Sequence, residues 1–422
     1  MLLSERIQKT TLKANDCIAI VFVVISIFGF RFAYINFVLV ALLGLWLLAG
    51  MIQGEYCLHF LKNKVLLPLS AFFLYSLFGA LLSGNYLAAL KVNLGMLANL
   101  SGIYLFYYYL YYKKFYAMAL IAGASFGAML LASAVSTYLF SCNVDLPILL
   151  VQGGDQYAYA PLGEVYGLSY ANCLLACFLL ALAKYKRAIP SYRSLFLYLL
   201  FLFQMYAIYK SRTSLTFMAS LLGAAFTLFF ANIKTAQNIS KAKLSIALLG
   251  IMLLLFLVIY NGSLIGDALM NLGSSKQSKL LQRLYELGEF LSGVNKQQVL
   301  SNDSERLTRM IASINVWLRY PLFGVNHIVG GDHFALQRIG IGLHSQLFDY
   351  LAQYGIVGCL LLFSVHFVHL RSIVRLSKSL SYVWVFLILL LNIINPYKDF
   401  TVLYVQFFLI PSLYFLTGDI DY

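Results

Sequence analysis

GLHSQLFDYLAQYGIVG, residues 342–358, sets an imidazole, His344, at the head of an apolar run that also carries Gly355 and Gly358. An ionisable group at the lip of a bilayer-length segment is costly in lipid, so it faces water, a partner or a cavity. Reading this run as a membrane helix decides the fold, because the rest of the chain repeats its pattern.

Of the 422 residues, 61% are hydrophobic and 11% charged, where a soluble domain carries about 25% charged residues. Mean hydropathy is +0.81. Apolar runs of helix length fall at 16–30, 35–52, 65–83, 92–112, 116–140, 162–183, 194–210, 213–232, 243–260, 346–368, 379–395 and 399–416. A bilayer core takes about 20 apolar residues per helix. The expected fold is therefore an all-α polytopic membrane protein with about 12 spans. The N-terminal MLLSERIQKTTLKAND is polar and basic and shows no small-residue cleavage pattern, so the first run is expected to be a retained span.

The formal charge of +14 would point to nucleic acid in a soluble protein. Its distribution argues otherwise. With the N-terminus in the cytoplasm, 17 of the 30 Lys and Arg fall on inner connections and five on short outer ones. That is the positive-inside bias of a membrane protein with both termini inside, and it needs no nucleic acid. The other eight lie in one long outer connection, 261–345. Stretches such as ERLTRMIASINVWLRY within it read as helical, so it is expected to form a small subdomain. The expected organisation is spans 1–9 in 1–260, the outer subdomain in 261–345 and spans 10–12 in 346–422.

Three basic positions carry the candidate chemistry. In YKSRTSL, Lys210 and Arg212 sit on a tight turn at an outer helix lip. The guanidinium of Arg212 presents a planar fork suited to phosphate oxygens, although a snorkelling side chain would leave the same trace. In SERLTRM, Arg306 and Arg309 are spaced i, i+3 and share a helix face, which is equally the pattern of a solvated face beside Asp303 and Glu305. His344 titrates near neutral pH and can accept a hydroxyl proton, or it can be an interfacial hydrogen-bonding residue. Trp317 and Tyr320 read as packing groups of the subdomain.

Other chemistries are thinly represented. His327 and His333 are six apart in a Gly-rich loop without a carboxylate cluster, which is not metal-ligand spacing. The six cysteines show none either, and no required disulfide is expected. There is no phosphate-binding loop ending in Lys-Ser or Lys-Thr, no dinucleotide fingerprint and no nucleophile elbow. Acids within the spans are few, Asp349 being the main one, whereas a proton-coupled transporter or a flippase would place polar groups at the bilayer midplane.

A twelve-span layout, SRT at an outer lip, ERL in a long outer loop and the His344-Ser345 pair before Gly355-x-x-Gly358 together resemble the O-antigen ligase and O-antigen polymerase superfamily of bacterial envelopes. The layout covers the whole chain; the motifs cover about 30 residues. The resemblance implies a GT-C-like glycosyltransferase in the bacterial inner membrane, with 261–345 periplasmic. It implies transfer of a glycan from undecaprenyl diphosphate to lipid A-core, without metal or other cofactor. Arg212 and Arg306 would bind the donor diphosphate with Arg309 as a further contact. His344 would meet the acceptor hydroxyl, with Arg338 on the acceptor side. A polymerase joining lipid-linked repeat units would use the same machinery, and a lipid-linked sugar flippase is the competing class. Oligomeric state is not legible in these motifs.

Overall fold

Helices whose apolar surfaces find no protein partner declare their solvent. Leu67, Leu74 and Phe78 are each about two-thirds exposed along one side of one helix, and Leu195, Phe196, Leu199 and Leu202 line another. Soluble monomers rarely expose apolar surface on this scale, whereas lipid accepts it. In the computed structural model, residues 11–28, 35–55, 63–64, 66–84, 86–152, 165–185, 191–230, 262–274, 285, 296–343, 345–374, 387 and 400–417 are described. Every regular element among them is helical.

In chain order these are α1 (Ala14–Phe28), α2 (Ile35–Ile52), α3 (Leu66–Leu82), α4 (Tyr86–Asn99), α5 (Ser101–Tyr111), α6 (Phe115–Cys142), α7 (Leu146–Gln152), α8 (Val165–Tyr185), α9 (Ser191–Lys210) and α10 (Ser214–Phe230). They are followed by α11 (Gly262–Gly273), α12 (Lys296–Arg319), α13 (Asn326–Val329), α14 (His333–Ile339), α15 (Gln346–Val374), α16 (Phe400–Tyr404), a π-helical turn at Val405–Leu409, and α17 (Ile410–Thr417). Among the described residues four helices are long and apolar enough to cross a membrane: Phe115–Cys142, Val165–Lys184, Tyr192–Lys210 and Gln346–His369. Shorter apolar helices stand beside them. The chain is a helical membrane protein.

α8 is the central helix. Nearly all of it is buried, and it packs on α9, α10 and α16. Lipid supplies no hydrophobic drive between helices, so polar pairs and small residues hold the bundle. Asn172 donates to Ser133 on α6 at 2.9 Å. Ser125 and Tyr404 share a hydrogen bond of 2.8 Å, and Tyr107 meets His369 at 2.9 Å.

Two of the expected spans are not continuous helices. The run 92–112 divides at Leu100, which leaves helical geometry (φ −92°, ψ 2°) and separates α4 from α5. The run 346–368 breaks at Gly355 (φ 65°, ψ −173°), a conformation open essentially to glycine alone. α15 is thus a short helix, 346–354, followed by a longer one, 356–374. The expected spans 243–260 and 379–395 lie outside the described residues.

The Gly355 break is closed by residues 321–325 crossing it. Ile356 N–H donates to the Pro321 carbonyl at 2.9 Å and Val357 N–H to that of Leu322 at 3.1 Å. Val325 N–H donates to the Ala352 carbonyl at 3.0 Å. The Tyr75 hydroxyl on α3 donates to the Tyr354 carbonyl, 2.7 Å away. The backbone groups freed by the break thereby regain partners, as low-dielectric surroundings require. A Cβ on Gly355 would lie 2.3 Å from the Leu322 carbonyl oxygen, and one on Gly358 would lie 2.7 Å from the Tyr75 ring. Gly355-x-x-Gly358 is therefore a docking joint between α15, α3 and the crossing segment.

Of the expected outer subdomain, α11, α12, α13 and α14 are described. Val316, Val325, Leu336, Ile341 and Leu343 form a small core there, and Ala352 of α15 completes it. This core crosses residue 345, so the connection and the head of α15 fold as one packed unit.

Candidate functional site

The SRT turn joins α9 to α10. Ser211 and Thr213 are buried, and their hydroxyls bond to each other at 2.8 Å and to Ser169 on α8 at 3.1 and 2.5 Å. With both neighbours pinned inward, Arg212 takes a left-handed backbone, φ 54°. That conformation costs a non-glycine residue about 1–2 kcal/mol. Its guanidinium is half-buried and donates to Asp145 Oδ1 at 3.3 Å, on a carboxylate that is itself 76% exposed. So long and open a pair contributes little, about 0.2–1 kcal/mol.

The second group forms where α12 meets the head of α15. Gly342 lies against α12 so closely that a Cβ there would sit 2.1 Å from the Arg309 carbonyl oxygen. Its N–H donates to Ser313 Oγ at 2.9 Å. Ser313 in turn donates to Asp349 Oδ1 at 2.7 Å, and the other carboxylate oxygen accepts from Ser345 N–H at 3.1 Å. Asp349, Ser313 and Ser345 are all buried. The acid in this span is thus a clamp that ties Ser345 and, through Ser313, Gly342 to the arginine-bearing helix.

His344 itself lies outside the described residues. Its neighbours do not: Leu343 is left-handed (φ 55°) with its side chain in the small core, and Ser345 is fully buried. Both candidate positions, 212 and 344, therefore have two anchored neighbours.

Arg306 lies on α12 one turn before Arg309. Arg338 is exposed on α14, a short helix capped by Asp332, whose side chain accepts from Ala335 N–H at 3.0 Å. Lys210 lies over the Tyr206 ring at 5.5 Å. Trp317 donates to the Pro321 carbonyl at 3.3 Å, and Tyr320 packs edge-on to His327. Among the described residues no group of His, Cys, Asp and Glu could hold a metal ion.

The structure brings together α12, which bears Arg306 and Arg309, and Gly342, Leu343 and Ser345. Arg212 bonds to Asp145 on a separate turn. The length of α6 sets the Asp145–Arg212 pair far from Lys114. α6 runs from Lys114 to the Asp145 turn over 28 residues, about 42 Å at 1.5 Å per residue. Lys91 on α4 shares a cleft with Gly331 and Asp332.

That cleft was not foreseen from the sequence. It has a volume of about 390 Å³ and lies between α4, the 331–334 turn and the head of α15. Gln346, Tyr350, Gln353 and Tyr354 line it from α15. Their i, i+4, i+7, i+8 spacing was the available signal, since a lipid-facing turn has no use for two amides and two phenols. No protein-family model matches the chain, and no curated protein matches it.

Proposed function

We propose that this protein is a metal-independent membrane glycosyltransferase of the O-antigen ligase type. It moves a glycan from undecaprenyl diphosphate to lipid A-core at the periplasmic face of the inner membrane. It has about 12 spans, both termini in the cytoplasm, and a GT-C-like fold. The observation that carries the reading is the clamp. Gly342 abuts Arg309, and Asp349 holds both Ser313 and Ser345, so the segment of His344 and the helix of Arg306 and Arg309 share one locus. In this reading that locus and Arg212 lie at the bundle end opposite Lys114. Charge bias makes the Lys114 end cytoplasmic.

The chemistry follows from the residue types. The acceptor hydroxyl attacks the anomeric carbon, the bond to the diphosphate oxygen breaks, and the lipid diphosphate leaves with the bonding pair. Arg212 and Arg306, with Arg309 beside them, hold that growing charge where other enzymes use a metal. His344 takes or orients the proton of the attacking hydroxyl. One displacement inverts the anomeric centre. The half-satisfied Arg212, whose acid partner is exposed, exchanges that partner for phosphate at little cost.

The test is deletion in the native host followed by electrophoresis of its lipopolysaccharide. Bare core with long chains accumulating on undecaprenyl diphosphate is the expected result. Core capped by a single repeat unit would assign the polymerase reaction instead, and unchanged lipopolysaccharide would remove both.

A further inference from the structure

The short helix 346–354 has two polar faces that serve different purposes. Asp349 and Ala352 face α12 and the crossing segment, where the clamp and the small core are. Gln346, Tyr350, Gln353 and Tyr354 face the cleft against α4. From this geometry we infer that the cleft is a second substrate chamber, which takes the neutral, hydroxyl-rich sugar of the acceptor, while the donor diphosphate stays on the α12 side. The identification of that sugar as the acceptor rests on the transfer reaction proposed above; the sugar-binding chemistry of the cleft stands apart from it.

The described lining is poorly matched to a diphosphate, whose charge calls for a cluster of cations. Among the described residues its lining carries one lysine, Lys91, and one carboxylate, Asp332, with the imidazole of His366. Among the described side chains, Arg212 and Arg309 do not line it. The walls do not suit a polyprenyl tail either. Gln346, Gln353, Tyr350 and Tyr354 are all at least 95% buried, and Gln346 Oε1 has no hydrogen-bond partner. A hydrocarbon would leave that oxygen unsatisfied, whereas a sugar hydroxyl donates to it. Amides and phenols around an apolar floor of Met96, Leu100 and Leu362 are the usual furniture of a small-molecule site, and the volume falls in the same range. Gln346 is two residues from His344, so a sugar seated here would present a hydroxyl at the head of the helix. The short helix would then divide acceptor from donor, with the 342–345 segment at their junction.

Direct binding tests this on the full chain in lipid nanodiscs, without any transfer reaction. The probe is a dephosphorylated, neutral core oligosaccharide, followed by saturation-transfer NMR. Two variants interrogate the cleft. Gln346→Leu removes the amide while keeping its shape. Gly95→Phe fills the space, because a Cβ at Gly95 meets no atom within 4 Å. We expect wild-type binding and at least about tenfold weakening in both variants, each with an unchanged unfolding midpoint; in transfer assays the acceptor KM rises and the donor KM does not. Binding that survives Gly95→Phe, or no binding by folded wild-type protein, overturns the inference. So does displacement of the sugar by undecaprenyl diphosphate, which would assign the cleft to the donor. Unchanged lipopolysaccharide after gene deletion would defeat the ligase reading while leaving a positive binding result as support for a sugar site.

Discussion

The two ends of the bundle treat charge in opposite ways. At the Lys114 end, the Glu55 carboxylate accepts from Lys114 at 2.6 Å, Lys13 at 2.8 Å, Asn15 at 3.2 Å and the Tyr108 hydroxyl. Asp16 adds a second carboxylate, 3.4 Å from Lys114. Asn15, Asp16 and Tyr108 are buried. At the other end, Arg212 has one carboxylate at 3.3 Å, and that carboxylate stands in solvent. A saturated network has no valence left for a ligand and serves to tie α1, α2, α5 and α6 together. A half-satisfied cation can change partners.

Backbone geometry alone would not separate the two ends. Lys113, beside the saturated network, is left-handed (φ 53°) just as Arg212 and Leu343 are. What differs is how completely the neighbouring charges are paired. Strain marks both places, and pairing distinguishes a joint from a site.

That contrast can be broken by substitution. The largest effect is expected at the joint beneath the candidate site. Gly355→Ala places a Cβ against the Leu322 backbone in a conformation closed to alanine, costing at least about 3 kcal/mol. Folded protein recovered from the membrane should fall sharply; a normal yield would show that the break is not required. Lys114→Met comes next. Stripping one partner from a buried ion network costs about 3–5 kcal/mol. The unfolding midpoint should drop while turnover per folded molecule stays near wild type.

Arg212→Ala and His344→Ala should do the reverse, lowering transfer about 10²–10³-fold with the midpoint unchanged. Wild-type transfer in either variant would remove that residue from the reaction. Asp145→Asn should change little, less than about fivefold in transfer, since the exposed pair contributes at most about 1 kcal/mol.

Acid sharpens the comparison further. Burial alone raises the Glu55 carboxyl, but hydrogen bonds from Lys114, Lys13 and Tyr108 outweigh it and bring the pKa from 4.5 to about 2. A depressed pKa means that the folded state binds fewer protons than the unfolded one. The contribution of Glu55 is therefore fully present above pH 4.5 and lost as pH falls toward 2. Unfolding midpoints measured across that window should decline in wild type and decline less in Glu55→Gln.

Much of this was legible in the residues. The apolar runs predict the helices at 14–28, 35–52, 66–82, 115–142, 165–185, 191–210 and 214–230 to within a few positions, because lipid leaves a backbone no alternative to internal hydrogen bonding. The turn at Arg212 was legible as a tight one. The breaks at Leu100 and Gly355 were not. A hydropathy run stays apolar across a break when another segment supplies the missing hydrogen bonds, and residues 321–325, distant in sequence, supply them at Gly355. Asp349 stood out as an acid in an oily run, but its role required knowing that Ser313 lies opposite.

Composition and charge distribution determined the solvent of this chain, its helical class and which basic side chains are chemically equipped to meet phosphate. Those properties belong to side chains taken one at a time and add along the sequence. Tertiary structure alone decided that Gly342 rests on Arg309, that Asp349 ties Ser313 to Ser345, and that one short helix stands between α12 and a cleft lined by amides and phenols. Each depends on a contact between residues far apart in the chain, where shape and hydrogen-bond geometry select the partner and residue type does not.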